Sequence, residues 1–249
     1  MRLYLPMRTA ESMLDSFALW RPDRSIEAAR ELATSMAASA VRGWSGGKVA
    51  RLGPRPAQPL VLFEKEPCPH SRLVREALSM LDVDAEMRPC PEGELAHRAE
   101  LKTRGGREQI PFLIDPNTGA HLYEAPEIVR YLFRVYGHGR APRALTTGIA
   151  LRRSRLASVI RDHAGDRKVP ARRPERPLEL YGCEAEPHTR LVREQLSTLA
   201  LPWISRARAR GSPRRNTEPL PRLRDPNTDC TLSSPDLIRA YLFATYARR

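Results

Sequence analysis

No apolar run in this 249-residue chain is long enough to span a bilayer. The first residues also lack the compact apolar core of a secretory signal. Glu11, Asp15, Asp23, Glu27 and Glu31 speak against an Arg-rich import leader, so a cytoplasmic home is expected, with organellar import as the lesser alternative. Aromatic residues make up only 6% of the chain and no nucleic-acid-binding motif is visible, which argues against nucleic acid as the partner. Lysine is scarce. It occurs only at Lys48, Lys65, Lys102 and Lys168, so the net charge of +13 is carried almost wholly by arginine. Such an Arg-rich surface is simply solvated or meets an acidic protein partner. The only cysteines are Cys68, Cys90, Cys183 and Cys230. Their positions do not suggest a disulfide framework, and there is no Cys-x-x-Cys pair and no histidine cluster with metal spacing. A reducing compartment and no metal are therefore expected.

What the chain does have is internal repetition. Glu66 to Glu76 (Glu-Pro-Cys-Pro-His-Ser-Arg-Leu-Val-Arg-Glu) returns as Glu184 to Glu194 (Glu-Ala-Glu-Pro-His-Thr-Arg-Leu-Val-Arg-Glu). Asp-Pro-Asn-Thr at Asp115 returns at Asp225, and Ile-Val-Arg-Tyr-Leu-Phe from Ile128 returns as Leu-Ile-Arg-Ala-Tyr-Leu-Phe from Leu237. Three matched segments in one order point to a duplicated domain, too long for a solenoid repeat. The expected division is an N-terminal helical extension over 1–57, a first domain over 58–138, a basic helical linker over 139–176 and a degenerate second domain over 177–249.

Each copy reads as strand, helix, strand, strand, strand, helix. Leu60-Val61-Leu62-Phe63 is a buried strand, and Pro69 opens a helix with Leu73, Val74, Ala77, Leu78 and Leu81 on one face. Asp84 to Arg88, Phe112 to Ile114 and His121 to Tyr123 follow as strands, and Pro126 opens the closing helix. Ahead of the first copy, Thr9 to Leu19 reads as a short helix. Ile26 to Val41 reads as a better one, capped by Ser25, with Ile26, Ala29, Leu32, Ala33, Met36, Ala37 and Ala40 as its apolar docking face. Ala144 to Asp162 reads as a basic helix between the copies.

Chemistry concentrates at Cys68-Pro69-His70-Ser71. A thiol between a strand and a helix start meets unpaired backbone N–H groups and the positive helix end, and both favour the nucleophilic thiolate. Arg72 and His70 add positive charge, while Glu64, Glu66 and Glu76 oppose it. With Ser71 in place of a second cysteine, Cys68 cannot close a local disulfide, but it can form a mixed disulfide that a second thiol resolves. The other reading is a loop cysteine without a role. Cys90 is read as structural, with a resolving thiol as the lesser alternative. Ile110-Pro111 and Leu220-Pro221 each open a strand. Glu124-Ala125 precedes the last helix of the first copy, and Ser233-Ser234 is taken as the matching pair in the second. At the loop of the second copy Glu186 stands in place of the cysteine, with His188 and Thr189 after it.

These segments, with Pro89-Cys90-Pro91-Glu92-Gly93 and Leu201-Pro202-Trp203, resemble the thioredoxin-fold N-terminal domain of glutathione S-transferases and the related glutaredoxins. The chain is similar to tandem glutathione S-transferase N-terminal-domain proteins. The resemblance implies an α/β chain of two tandem thioredoxin-like domains, each with a mixed four-stranded sheet, and no all-α transferase C-terminal domain. It implies cis bonds at Pro111 and Pro221, and glutathione or a glutathionylated protein as the ligand. Cys68 and Ser71 are then the catalytic pair, with His70, Arg72, Ile110, Pro111, Glu124 and Ala125 around the peptide. Glu186, His188, Thr189, Leu220, Pro221, Ser233 and Ser234 form a degenerate second site. The implied activity is that of a glutathione-linked monothiol transferase or reductase; the alternative is a non-catalytic binding scaffold. Ala125, where the family has serine, and Glu186, which leaves the second copy without a loop cysteine, depart from the pattern.

Overall fold

The structure is a computed structural model and describes residues 23–248. The helix expected over Thr9 to Leu19 lies outside the described residues. The described residues begin with α1 (Asp23–Val41), which already runs through position 25, so Ser25 is not its N-cap. The first half follows as β1 (Leu60–Glu64), α2 (Pro69–Met80), β2 (Ala85–Pro89), α3 (Ala96–Gly105), β3 (Phe112–Asp115), β4 (Ala120–Tyr123) and α4 (Ala125–Tyr136). A short α5 (Arg143–Thr146) and α6 (Gly148–Ile160) occupy the stretch read as one basic helix. The second half is β5 (Leu178–Gly182), α7 (Pro187–Thr198), β6 (Trp203–Ala207), β7 (Arg222–Asp225), β8 (Cys230–Leu232) and α8 (Pro235–Tyr246). The two halves share their element order, except that α3 has no counterpart between β6 and β7.

Each half contributes a mixed set of four strands, as expected, and the two sets join into one eight-stranded sheet, β4-β3-β1-β2-β6-β5-β7-β8. It is closed at the centre by antiparallel pairing of β2 with β6, with Ala85 opposite Ser205 and Met87 opposite Trp203 on either side of Glu86 and Ile204. Each of these strands would otherwise be an edge with unpaired backbone groups, and joining them satisfies both. Met87 and Trp203 are buried at the junction.

The helices ahead of the halves are exchanged across this junction. The apolar stripe of α1 does not dock: Ile26 is 74% and Met36 48% exposed, while Ser35, Ala38, Ser39 and Arg42 are buried. The reason is the partner. α1 lies on α7, where the buried Arg190 Nη1 donates to Ser35 O at 2.5 Å and to Ser39 Oγ at 2.8 Å. α6 treats α2 in the same way, with Arg72 Nη1 donating to Ser154 O at 2.5 Å and Ser158 Oγ at 2.9 Å. Arg42 holds Glu76 through Nε at 2.8 Å and Nη2 at 2.6 Å, and Arg161 holds Glu194 at 2.8 and 2.7 Å. A small hydroxyl-bearing face suits a buried guanidinium, which needs acceptors rather than methyl groups.

Between α2 and α7 the charges interlock. Arg75 grips Glu184 through Nε at 3.0 Å and Nη2 at 3.2 Å, and Arg193 grips Glu66 at 3.0 and 3.2 Å. Arg75 also pairs with Glu64. All five side chains are buried. Burial alone would raise the Glu184 carboxyl, but Arg193 and Arg75 outweigh it and hold it at about 2. Glu64 is pushed up to about 7, because burial outweighs the pull of Arg75. The repeated Arg-Leu-Val-Arg-Glu segments thus build the joint between the halves.

The two Asp-Pro-Asn-Thr turns are also more than turns. Asp115 accepts from Asn117 N at 2.8 Å and from Tyr131 and Tyr136 hydroxyls at 2.6 Å each. Asp225 accepts from Asn227 N at 2.8 Å, Tyr241 at 2.6 Å and Tyr246 at 2.5 Å. Each turn is thereby tied to the last helix of its half.

Candidate active site in the first half

Strand register gathers the site. Phe63 lies opposite Phe112, and Phe112 opposite Tyr123. The chain leaves this row at one end of the sheet in all three strands: from β1 towards Cys68, from β3 back to Pro111, and from β4 on to Glu124. Ile110-Pro111 and Leu220-Pro221 are both cis. On one face, α3 packs its Leu101 against Phe63, Cys90, Phe112 and Ile114. Gly105 at its end approaches Tyr123 so closely that an added Cβ would lie 2.1 Å from the hydroxyl.

Cys68 is the N-cap residue of α2, with φ −66° and ψ 117°, and Pro69 takes the first helical position. The cap position arises because proline carries no N–H and its fixed φ suits the first turn. Cys68 is half-buried and its side chain makes no cap hydrogen bond. No acceptor among the described residues reaches the N–H groups of His70 or Ser71. The loop is held from behind by α6: Ser158 Oγ donates to Pro67 O at 2.6 Å and Ser154 Oγ to Pro69 O at 2.8 Å. Sequence reasoning treated this helix as a linker. The two serines four apart, repeated as Ser35 and Ser39 in α1, were the available signal.

Ser71 is fully buried and its hydroxyl has no partner among the described residues. His70 and Ile110 are half-buried and Pro111 is buried. Glu124 is exposed at the start of α4 with φ +62°, a strained backbone for a residue with a Cβ, and its Oε1 accepts from Gln109 Nε2 at 2.5 Å. Gln109 was not singled out from the sequence. Two expected ligand residues are corrected. Arg72 is turned into the joint with α6 and only 1% exposed, so it does not face the loop. Ala125 is packed in the main core, leaving only its backbone at the helix start. The acidic residues expected to oppose a thiolate are neutralised: Glu64 and Glu66 by Arg75 and Arg193, Glu76 by Arg42. Cys90 is buried in the core, in line with its structural reading, and burial pushes its thiol up to about 12; burial raises Cys183 and Cys230 as well.

The second half fills the same place with its own side chains. Glu186 is the N-cap of α7, with φ −76° and ψ 119°. Its carboxylate accepts from His188 N at 3.0 Å, Thr189 N at 2.5 Å and Thr189 Oγ1 at 2.6 Å, and lies 3.0 Å from His188 Nδ1. Leu220 and Pro221 lie before β7, where Arg222 stacks over the Tyr181 ring at 4.2 Å. The pairing of Ser233-Ser234 with Glu124-Ala125 is corrected by one residue. Ser234 is the N-cap of α8 as Glu124 is of α4, so Ser234 matches Glu124 and Pro235 matches Ala125. Ser233 belongs with Tyr123, and the Ser234 hydroxyl makes no cap bond.

Residues 62–141 match the family model described as glutathione S-transferase, N-terminal domain. The first half is accordingly a thioredoxin-like domain of the glutathione S-transferase N-terminal type. The matched stretch begins in β1 and ends just beyond α4, so it holds Cys68, Pro111 and Glu124 together. No curated protein and no solved structure matches the chain. Among the described residues, no helix is long and apolar enough to cross a membrane, and no group of His, Cys, Asp and Glu side chains is placed to hold a metal ion.

Proposed function

We propose that the first half is a glutathione-linked monothiol transferase with Cys68 as its nucleophile, and that the second half has no such activity. The observation that carries this reading is the uncapped helix start at Cys68 within a glutathione S-transferase N-terminal domain. The sulfur of Cys68 attacks the glutathione sulfur of a mixed disulfide. A new S–S bond forms, the substrate S–S bond breaks, and the substrate leaves as a thiol. A second glutathione thiolate then attacks the adduct, releases Cys68 and departs as glutathione disulfide. Glu124 is the carboxylate available for the amino end of the tripeptide. The Ile110 backbone beside Pro111 is available for the peptide's own N–H and C=O.

The test is incubation with oxidised glutathione, followed by intact mass and peptide mapping. One glutathione on Cys68, absent in Cys68→Ser and removed by glutathione, is expected, with turnover of a glutathionylated peptide. Equal labelling of all four cysteines, or none, would leave the second reading, a non-catalytic scaffold. That reading draws on Glu186, which closes the equivalent loop with its own carboxylate.

A further inference from the structure

The Glu186 loop is an anion receptor filled by its own side chain, and the Cys68 loop presents the same donors with a cap side chain that does not engage them. In the second half one carboxylate takes up two backbone N–H groups, a buried hydroxyl and a histidine ring nitrogen. The first half keeps each donor: the N–H groups of His70 and Ser71, the Ser71 hydroxyl and the His70 ring. The cap backbones agree within 10° in φ and 2° in ψ (−76° against −66°, 119° against 117°). Ser71 Oγ is fully buried without a partner among the described residues, at the position from which Thr189 Oγ1 reaches Glu186. The surrounding strand is adjusted to match. Gly182 faces Thr189, where an added Cβ would lie 2.6 Å from the threonine methyl; in the first half Glu64 takes that place and the hydroxyl residue is the smaller serine.

Cysteine sulfur alone does not fill this receptor, but oxidised sulfur would. A sulfinate oxygen sits two bonds from Cβ, as an aspartate carboxylate oxygen does. Aspartate is among the best N-caps because those oxygens reach the second and third helical N–H groups. We propose that Cys68 is a site of oxidation by hydroperoxides, and that its sulfinate caps α2 as the Glu186 carboxylate caps α7. In the first step the sulfur attacks a peroxide oxygen. The S–O bond forms, the O–O bond breaks, and an alcohol or water leaves, giving a sulfenic acid. A second hydroperoxide adds the second oxygen in the same way and a proton is released. Sulfur is oxidised and two peroxides are reduced. This rests on access to the same thiol as the transferase reading but needs no glutathione.

The experiment treats the full chain with hydrogen peroxide in the absence of any thiol. Peptide mapping should find two oxygens on Cys68, with Cys90, Cys183 and Cys230 unchanged, and Ser71→Ala should lower that yield several-fold. The midpoint of thermal unfolding should rise on oxidation, and Cys68→Asp should melt about 2–4 °C above Cys68→Ala. Oxidation spread over all four cysteines, a midpoint that falls on oxidation, or Cys68→Asp melting at or below Cys68→Ala would overturn the proposal. Should Ser71→Ala not fold, the Asp and Ala variants at position 68 decide it. A sulfinate without a glutathione adduct sinks the transferase reading alone; an adduct without a sulfinate sinks this one alone.

Discussion

At Cys68 and at Glu186 the backbone turns into a helix with nearly the same dihedral angles, and each turn is buttressed by two serines from an exchanged helix. What differs is the side chain at the cap. Glu186 satisfies the helix start from within the chain, while Cys68 leaves it open to something else. The same donors therefore serve stability in one half and are available for chemistry in the other. The difference continues across the sheet. α3 covers the aromatic row of the first half, whereas in the second Tyr181 is covered by Arg222 and Arg208.

The comparison can be broken first at the joint on which both halves depend. Arg193→Ala strips Glu66 of its bidentate partner inside the protein, and should lower unfolding free energy in urea by about 3–5 kcal/mol. A loss under 1 kcal/mol would mean that the charges reach water. Next, Asp115→Asn and Asp225→Asn each remove the charge that two tyrosine hydroxyls serve, and each should cost about 1.5–3 kcal/mol. Burial would raise both carboxyls, but the tyrosine and asparagine hydrogen bonds prevail and lower them. Their contribution is thus present above the ordinary aspartate range and lost as pH falls through the depressed values. Unequal losses in the two variants would show that the halves are not tied down alike.

A smaller effect sharpens the contrast between the loops. Glu186→Ala should cost about 1 kcal/mol in the same urea assay, as the loss of an N-cap does, and Cys68→Ala close to nothing. Equal costs would remove the distinction between a filled and an open cap. A pH-dependent contrast belongs to Glu64, which has glycine as its counterpart. Its folded value of about 7 exceeds the unfolded one of 4.5, so the folded state binds the extra proton between them. Stability from this group falls as pH rises through that window. Glu64→Gln should flatten the slope of stability against pH there, and an unchanged slope would count against a protonated Glu64.

Much of this was legible in the sequence. Apolar runs, prolines at helix starts and the repeated segments located the strands and helices of both halves except α3, whose mostly polar sequence over Ala96–Gly105 buries only His97 and Leu101, and the strand-to-helix position of Cys68 follows from Pro69. The union of the sheets was not legible, because β2 and β6 read as ordinary short strands and nothing local says which edge meets which. The docking face of α1 was misread for a related reason. Periodicity finds buried methyl groups, and here the buried face carries Ser35, Ser39 and Arg42. Arg72 was assigned to the ligand on its nearness in sequence to Cys68, although a helix turns successive residues by 100° and points it elsewhere. One signal could have warned of this. Arg72, Arg75 and Glu76 reappear unchanged as Arg190, Arg193 and Glu194, although the loop chemistry has not, since Cys68 returns as Glu186.

The exchange of α1 and α6 has one more consequence. In an assembly of two identical subunits any change at the cap would strike both loops at once. Here the linkage is covalent and each half clasps a helix that the other contributes, so the two partners are always present one to one and never re-sort. That fixed marriage lets one loop trade its thiol for a carboxylate while its sibling stays as it was.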